Sequence, residues 1–248
     1  MRLLIDADVL VYRNGFGAQH KDEAGKIFIE PWEICTEYLD HSIANITQQV
    51  EYHFKTVEVT KLYLTSTDHS NFRYALDPKY KISRKKNDKP VYYDCIREYL
   101  IDTYHAEVIY GQEADDQLGI EQMKDAGSGM IVTIDKDLNN IPGWHYDFVK
   151  GEFNFWNKEA SIKFFYQQLL TGDTKDDIFG LKGIGEKKAD IILRDCHDEP
   201  SMYSTVKNAW VHHKDWIGQP NEALNKMHLN AQLLYIRPSY GAKWLPPA

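Results

Sequence analysis

Five short knots of acidic residues are the part of this 248-residue chain whose types and spacing could do chemistry. They are Asp6 and Asp8 in LLIDAD, Asp68 in YLTSTD, Glu113, Asp115 and Asp116 in GQEADD, Asp135 and Asp137 in VTIDKD, and Asp173, Asp176 and Asp177 in TGDTKDD. Any one of them also reads as the polar end of a strand or a helix cap. Together they do not. A cap has no need of Asp-x-Asp, and Glu-x-Asp-Asp crowds like charges that repel unless a cation lies between them. Glu113 and Asp116 are spaced i, i+3 on one helix face, with Asp115 beside them at the positive end of the helix dipole. Asp135 and Asp137 point the same way if the preceding strand continues through both. Carboxylates without His or Cys suit hard divalent cations, Mg²⁺ or Mn²⁺, rather than zinc. Two such ions ~3.5–4 Å apart clamp the attacking and leaving oxygens of a phosphoryl transfer. A metal site for two ions is the expectation.

The basic residues form two groups. Lys79 to Lys89 reads KYKISRKKNDK, placing Lys79, Lys81, Arg84, Lys85, Lys86 and Lys89 against Asp88 alone, with Arg73 upstream and Phe72, Tyr74 and Tyr80 interleaved. A basic stripe with aromatics tracks a phosphate backbone while stacking exposed bases; the same run also suits a solvated surface loop. The second group is GLKGIGEKKADIIL, in which Gly183 and Gly185 flank Ile184 and Lys187 and Lys188 follow at a helix start. This is a helix–hairpin–helix signature, whose turn amides and lysines hold nucleic-acid phosphates without reading bases; the alternative is a Gly-rich connection between packed helices. The formal charge of −8 does not exclude a polyanionic partner. Setting aside nine metal-site carboxylates (Asp6, Asp68, Glu113, Asp115, Asp116, Asp135, Asp137, Asp173 and Asp176) from the 37 acidic residues leaves 28 against 29 basic ones.

These side chains need elements to position them. Leu3–Ile5, Val57–Thr65, Glu107–Tyr110 and Met130–Ile134 are short apolar or β-branched runs that end abruptly in the acidic knots, and read as strands. Pro31–Phe54, Val91–Tyr104 and Glu113–Ala126 are of helix length. The alternation predicts an α/β fold, a mostly parallel central sheet with helices on both faces. Ligands bind such sheets at the carboxyl ends of the strands, where the knots fall. Helical segments are expected at about 161–170, 200–213 and 221–236, with Trp210, Trp216 and Trp244 as core. Hydrophobic residues at 43% and 32 aromatics (6 Trp, 16 Tyr, 10 Phe) argue against disorder. No apolar run approaches the ~18 residues of a membrane helix, so no membrane partner is expected. MRLLIDADVL lacks the flanks of a signal peptide. Cys35, Cys95 and Cys196 are odd in number and form no CxxC, which points to a reducing compartment.

The ordered set LLIDADVLVYR, LTSTDHSNFRYALDPKYKISRKK, EADD, TIDKD and GDTKDDIFGLKGIGEKKA resembles the 5′ nuclease (flap endonuclease-like) superfamily over residues 1–196. It is most similar to the stand-alone phage 5′–3′ exonucleases, relatives of the 5′ nuclease domain of bacterial DNA polymerase I. The resemblance implies a PIN-like nuclease core over about 1–157, with its arch region at about 79–94. A helical DNA-binding portion would follow over 158–248, with its helix–hairpin–helix at about 173–196. It implies that Asp6, Asp68, Glu113, Asp115, Asp116 and Asp135 surround the first metal, and Asp137, Asp173 and Asp176 the second, Asp135 lying near both. Asp6, Asp68 and Asp135 count among the catalytic residues with Lys81 and Arg84, the YKxxR pair at the arch base. Tyr80 would stack a base and Arg73, Lys85 and Lys86 would meet phosphates. Gly183, Gly185, Lys187 and Lys188 would grip duplex, with K⁺ held by hairpin carbonyls as in some relatives.

The expected activity is Mg²⁺- or Mn²⁺-dependent hydrolysis at or near 5′ ends of duplex, nicked or flapped DNA, extending to RNA in hybrids. The enzyme would act as a monomer in the cytoplasm of a phage-infected bacterium. Four features depart from the family: Asp177 stands where Asn is usual, adding charge near the second metal; Gln168 stands where many members carry a basic residue, removing one phosphate contact; the arch region at about 79–94 is short for threading long flaps; and Asn14 to Pro31 is a longer connection than usual. Two rival readings stay open. A haloacid-dehalogenase-like phosphatase would use Asp6 as nucleophile and Asp8 as acid/base, and a DNA-structure binding protein would have no catalysis.

Overall fold

The computed structural model describes all residues except 22, 24, 55, 87, 125–127 and 248, and leaves out the side chains of Lys85 and Lys86. In chain order the elements are β1 (Arg2–Asp6), α1 (Ala7–Gly17), β2 (Gln19–Lys21), β3 (Ile27–Ile29), α2 (Trp32–His53), β4 (Val59–Thr65), α3 (Phe72–Leu76), α4 (Tyr93–Tyr104), β5 (Glu107–Ile109), α5 (Ala114–Lys124), β6 (Gly129–Val132), β7 (Gly143–Asp147), β8 (Glu152–Trp156), α6 (Lys158–Thr171), β9 (Gly172–Asp173), β10 (Ile178–Phe179), α7 (Glu186–Ile192), α8 (Glu199–Val211) and α9 (Pro220–Leu234). Short 3-10 turns cover Ser83–Lys86, Lys136–Asn140 and Thr174–Asp176.

Two compact units divide the chain. The first comprises Met1–Ser70, Asp88–Lys136 and Gly143–Phe155; the second comprises Asn71–Asn87, Asp137–Pro142 and Trp156–Ala248. The units are interleaved, which differs from the single division expected near residue 157.

The first unit is built on a sheet of order β5-β4-β1-β6-β7-β8. β1 pairs parallel with β4 and β6, β4 with β5, and β6 with β7. β1 is central and covered on both faces, which is why Leu3, Leu4 and Ile5 run consecutively apolar and all are fully buried. α2 buries Cys35, Leu39, Ile43, Ile46 and Val50, spaced three and four apart along one helix face. The parallel pairing of β1, β4, β5 and β6 puts their carboxyl ends on one edge of the sheet. β1 is also where the strand order reverses, since β4 lies to one side and β6 to the other. The long connection after α1 contains the antiparallel β2–β3 hairpin.

The second unit is helical. α6, α8 and α9 pack through Phe165, Tyr166, Leu169, Met202, Val206, Trp210, Met227 and Ala231. Trp210 and Trp244 are core, and the Trp210 indole N–H donates to the Leu169 carbonyl at 3.0 Å. Between α6 and α7 the chain makes a clasp: β9 and β10 pair antiparallel, with Gly172 opposite Phe179 and Asp173 opposite Ile178. Gly172 has φ +72°, and a Cβ there would lie 2.3 Å from the Gly180 nitrogen and the Ile178 oxygen. Only glycine meets both conditions.

Candidate functional site

At the sheet edge of the first unit, Asp6 ends β1 and caps α1, its Oδ1 accepting from the Val9 amide at 3.3 Å. The Thr133 hydroxyl, just beyond β6, donates to Asp6 Oδ2 at 2.8 Å and accepts from the Asp135 amide at 3.0 Å. One threonine thus ties Asp6 to Asp135 across the point where the strand order reverses. Burial, then the charge of Asp8, push the Asp6 carboxyl up to about 7; Thr133 opposes the shift and Asp135 adds to it. Asp116, fully buried, accepts from the Glu113 amide at 3.1 Å and so caps α5. Asp68 is exposed, and hydrogen bonds from Ser66 and Ser70 hold it ionised, down to about 2.

Asp8 is half-buried, desolvation raises its pKa, and it serves architecture. It accepts from the Thr65 amide at 2.9 Å and from Arg97 Nη1 at 3.1 Å, while Arg97 Nη2 donates to the Thr65 carbonyl at 2.8 Å. The Thr65 hydroxyl in turn accepts from the Ala114 amide at 3.0 Å. Arg97 and Thr65 were not singled out in the sequence; only a buried arginine on the apolar face of α4 could have signalled them.

The second unit brings Asp137, Asp173 and Asp176 together, with one ligand oxygen of each within 4.8 Å of the others. Three convergent carboxylate oxygens are the donor set of a hard divalent cation. Among the described residues no other group of three His, Cys, Asp or Glu meets that spacing. The six carboxylates of the sheet edge are therefore gathered at one edge but not converged to the same degree.

Two cations face the same cluster. Lys81 Nζ lies 3.4 Å from Asp176 Oδ2, and Arg84 forms an ion pair with Asp176 Oδ1. Lys81 takes the left-handed backbone conformation, φ +53°, uncommon for a non-glycine residue, and its amide donates to the Asp176 carbonyl at 3.1 Å. Arg84 Nε donates to the Lys175 carbonyl at 3.2 Å. The segment carrying both is thus pinned at several points to the Thr174–Asp176 turn.

Several expectations are corrected. Tyr80 does not present its ring for base stacking: it is 3% exposed, packed in the helical core, and its hydroxyl donates to Asp176 Oδ2 at 3.3 Å. Arg73, 2% exposed, does not reach phosphate; its Nε and Nη2 donate to the carbonyls of Leu233 and Tyr235 and tie α3 to the end of α9. β6 does not continue through Asp135 and Asp137, because it stops at Val132 and Asp137 lies in the 3-10 turn. Asp177 does not simply add charge at the metal cluster. It adopts φ +59° and its Oδ2 accepts from the Ser83 amide at 2.8 Å, so an αL-tolerant residue with an oxygen acceptor is what the position needs. Lys85 and Lys86 fall outside the described side chains.

The hairpin has the expected turn, with Gly183 at φ +82° and Gly185 capping α7. Lys187 and Lys188 are both exposed, and Lys188 Nζ donates to the Gly183 carbonyl at 2.7 Å.

No family model matches the chain. It is 28% identical over 247 residues to an exonuclease of Escherichia phage T7, a match covering 90% of this chain and 78% of that one. It is 24% identical over 184 residues to the flap endonuclease Xni of Shewanella baltica, covering 67% of this chain and 69% of that one. Among solved structures, the flap endonuclease of bacteriophage T5 in complex with DNA and metal ions superposes with a TM-score of 0.65 at 17% identity, covering 96% of this chain and 90% of that one. The chain thus shares the fold of the phage T5 enzyme and is similar in sequence to phage exonucleases and bacterial flap endonucleases.

Proposed function

We propose that this protein is a divalent-metal-dependent 5′ nuclease, hydrolysing phosphodiester bonds at or near 5′ ends of duplex, nicked or flapped DNA. The observation that carries the reading is the Asp137–Asp173–Asp176 group with Lys81 and Arg84 on Asp176, a cation site and two cationic side chains that meet at one carboxylate. Asp137, Asp173 and Asp176 would hold one ion, and Asp6, Glu113, Asp115, Asp116 and Asp135, with Asp68, would supply ligands for another. Such ions, Mg²⁺ or Mn²⁺, neutralise phosphate charge and lower the pKa of water. Lys81 and Arg84 would meet the negative charge that grows on the phosphate oxygens as water attacks. Lys187, Lys188 and the amides around Gly183 and Gly185 would hold the duplex backbone. A K⁺ ion at the hairpin would compete with Lys188 for the Gly183 carbonyl. RNA in hybrids, a monomeric state and action in the cytoplasm of an infected bacterium complete the proposal. The phosphatase reading loses its acid/base, because Asp8 is committed to Arg97 and Thr65.

Internally and 5′-end-labelled duplexes, blunt and flapped, incubated with Mg²⁺ or with EDTA test the reading. Mg²⁺-dependent release of short 5′ fragments is expected, and product length separates exonuclease from flap cutting. Intact substrate with Mg²⁺ and folded protein would overturn it.

A further inference from the structure

We propose that Gln168 is a positioning residue for Asp137, holding its carboxylate through a buried amide whose direction is fixed by Asn140. The inference rests on the reading of Asp137, Asp173 and Asp176 as a cation site. Gln168 lies on α6 and is 4% exposed. Its Nε2 donates to Asp137 Oδ1 at 2.7 Å, and its Oε1 accepts from Asn140 Nδ2 at 2.8 Å. Asn140 Nδ2 also lies 3.5 Å from the Leu234 carbonyl at the end of α9.

The amide has one workable orientation. Reversed, its oxygen would face the Asp137 carboxylate and its NH₂ would face the NH₂ of Asn140, two repulsive contacts in place of two hydrogen bonds. Asp137 sits on a 3-10 turn, whose own backbone does not settle where a carboxylate points, so a donor from a neighbouring helix sets its direction. Groups that orient a ligand from behind in this way typically govern metal affinity by 10–100-fold. The chemistry of the donor matters as well. A lysine or arginine at residue 168 would bring a full positive charge onto Asp137 and oppose a cation. A neutral amide orients the carboxylate and leaves its charge to the ion.

The test is Mn²⁺ binding followed by electron paramagnetic resonance, on wild type, Gln168→Met, Asn140→Ala and Asp137→Asn, with melting curves to confirm folding. Gln168→Met keeps the volume and removes the donor. It should weaken the Asp137-dependent class of Mn²⁺ ions tenfold or more, and Asn140→Ala should weaken it severalfold. In the Asp137→Asn background neither substitution should change affinity beyond twofold, a coupling that general loosening of α6 would not produce. Unchanged Mn²⁺ affinity in folded Gln168→Met overturns the inference, as does an equal loss in the Asp137→Asn background. Should Gln168→Met not fold, Asn140→Ala carries the same two outcomes. Wild-type binding that ignores Asp137→Asn would instead overturn the cation-site reading itself, and this inference with it.

Discussion

Lys81 shows how closely a residue's backbone and its chemistry are linked in this protein. Its left-handed φ is held by the bond from its amide to the Asp176 carbonyl, and the same geometry brings its ammonium to the Asp176 carboxylate. Strain of this kind persists only where the surroundings over-determine it, and it concentrates at functional sites. Lys81→Ala should lower kcat by about 10²-fold or more while DNA affinity changes only a few-fold, because the interaction strengthens as charge develops on the phosphate. Single-turnover cleavage beside equilibrium DNA binding measures both; an unaltered cleavage rate would remove Lys81 from the chemistry. The carboxylates were legible in the sequence because type and repetition betray them. Tyr80 and Arg73 were not. An aromatic and an arginine beside a basic run look solvent-facing, yet the partners that bury them, Asp176, Leu233 and Tyr235, lie about 100 to 160 residues away.

The clasp that holds Asp173 owes its precision to backbone rather than to side chains. Asp173 is paired with Ile178 in a clasp that closes only because Gly172 and Gly180 approach within a Cβ's reach. Gly172→Ala adds both a positive-φ penalty and a collision with backbone atoms, while Gly183→Ala, with open space around it, adds the φ penalty alone. Gly172→Ala should therefore cost roughly 2–4 kcal/mol against about 1 kcal/mol for Gly183→Ala. Thermal melts would show the order, and the same two variants in a Mn²⁺ titration should show binding weakened by the first alone. Equal melting temperatures would mean that the clasp relaxes and does not set the site. β1, β4, β5 and β6 were readable as short apolar runs closed by acidic residues. β7 and β8 were not read as strands, although GWHYD and EFNFW alternate aromatic with polar residues, because each alternation spans only five residues. The β2–β3 hairpin hid in what looked like a long connection.

For the whole molecule the question is how a chain of formal charge −8 holds a polyanion. The interleaving of the two units was beyond a reading that follows the chain in order, since it depends on pairings of distant segments such as Arg73 with Leu233. The charge balance was not, because most of the acidic excess lies in residues assigned to cations. Each divalent ion adds +2, so two ions would halve the formal deficit to about −4, and the remaining negative charge need not face DNA. Affinity for a duplex with non-hydrolysable linkages at its 5′ ends should then be higher with millimolar Mg²⁺ than with EDTA, at matched ionic strength. The monovalent-salt slope reports a different group of residues. Lys187→Ala with Lys188→Ala should flatten that slope by about 0.9 for each phosphate that the lysines no longer neutralise. The gain from Mg²⁺ should persist in this variant, because the hairpin lysines and the carboxylates act independently. If only Lys187 meets phosphate, with Lys188 kept on the Gly183 carbonyl, the slope falls by one phosphate's worth rather than two. A wild-type slope in the double variant would remove the hairpin from the DNA interface. A Mg²⁺ effect that vanished with the lysines would instead tie the gain to the hairpin rather than to the carboxylates.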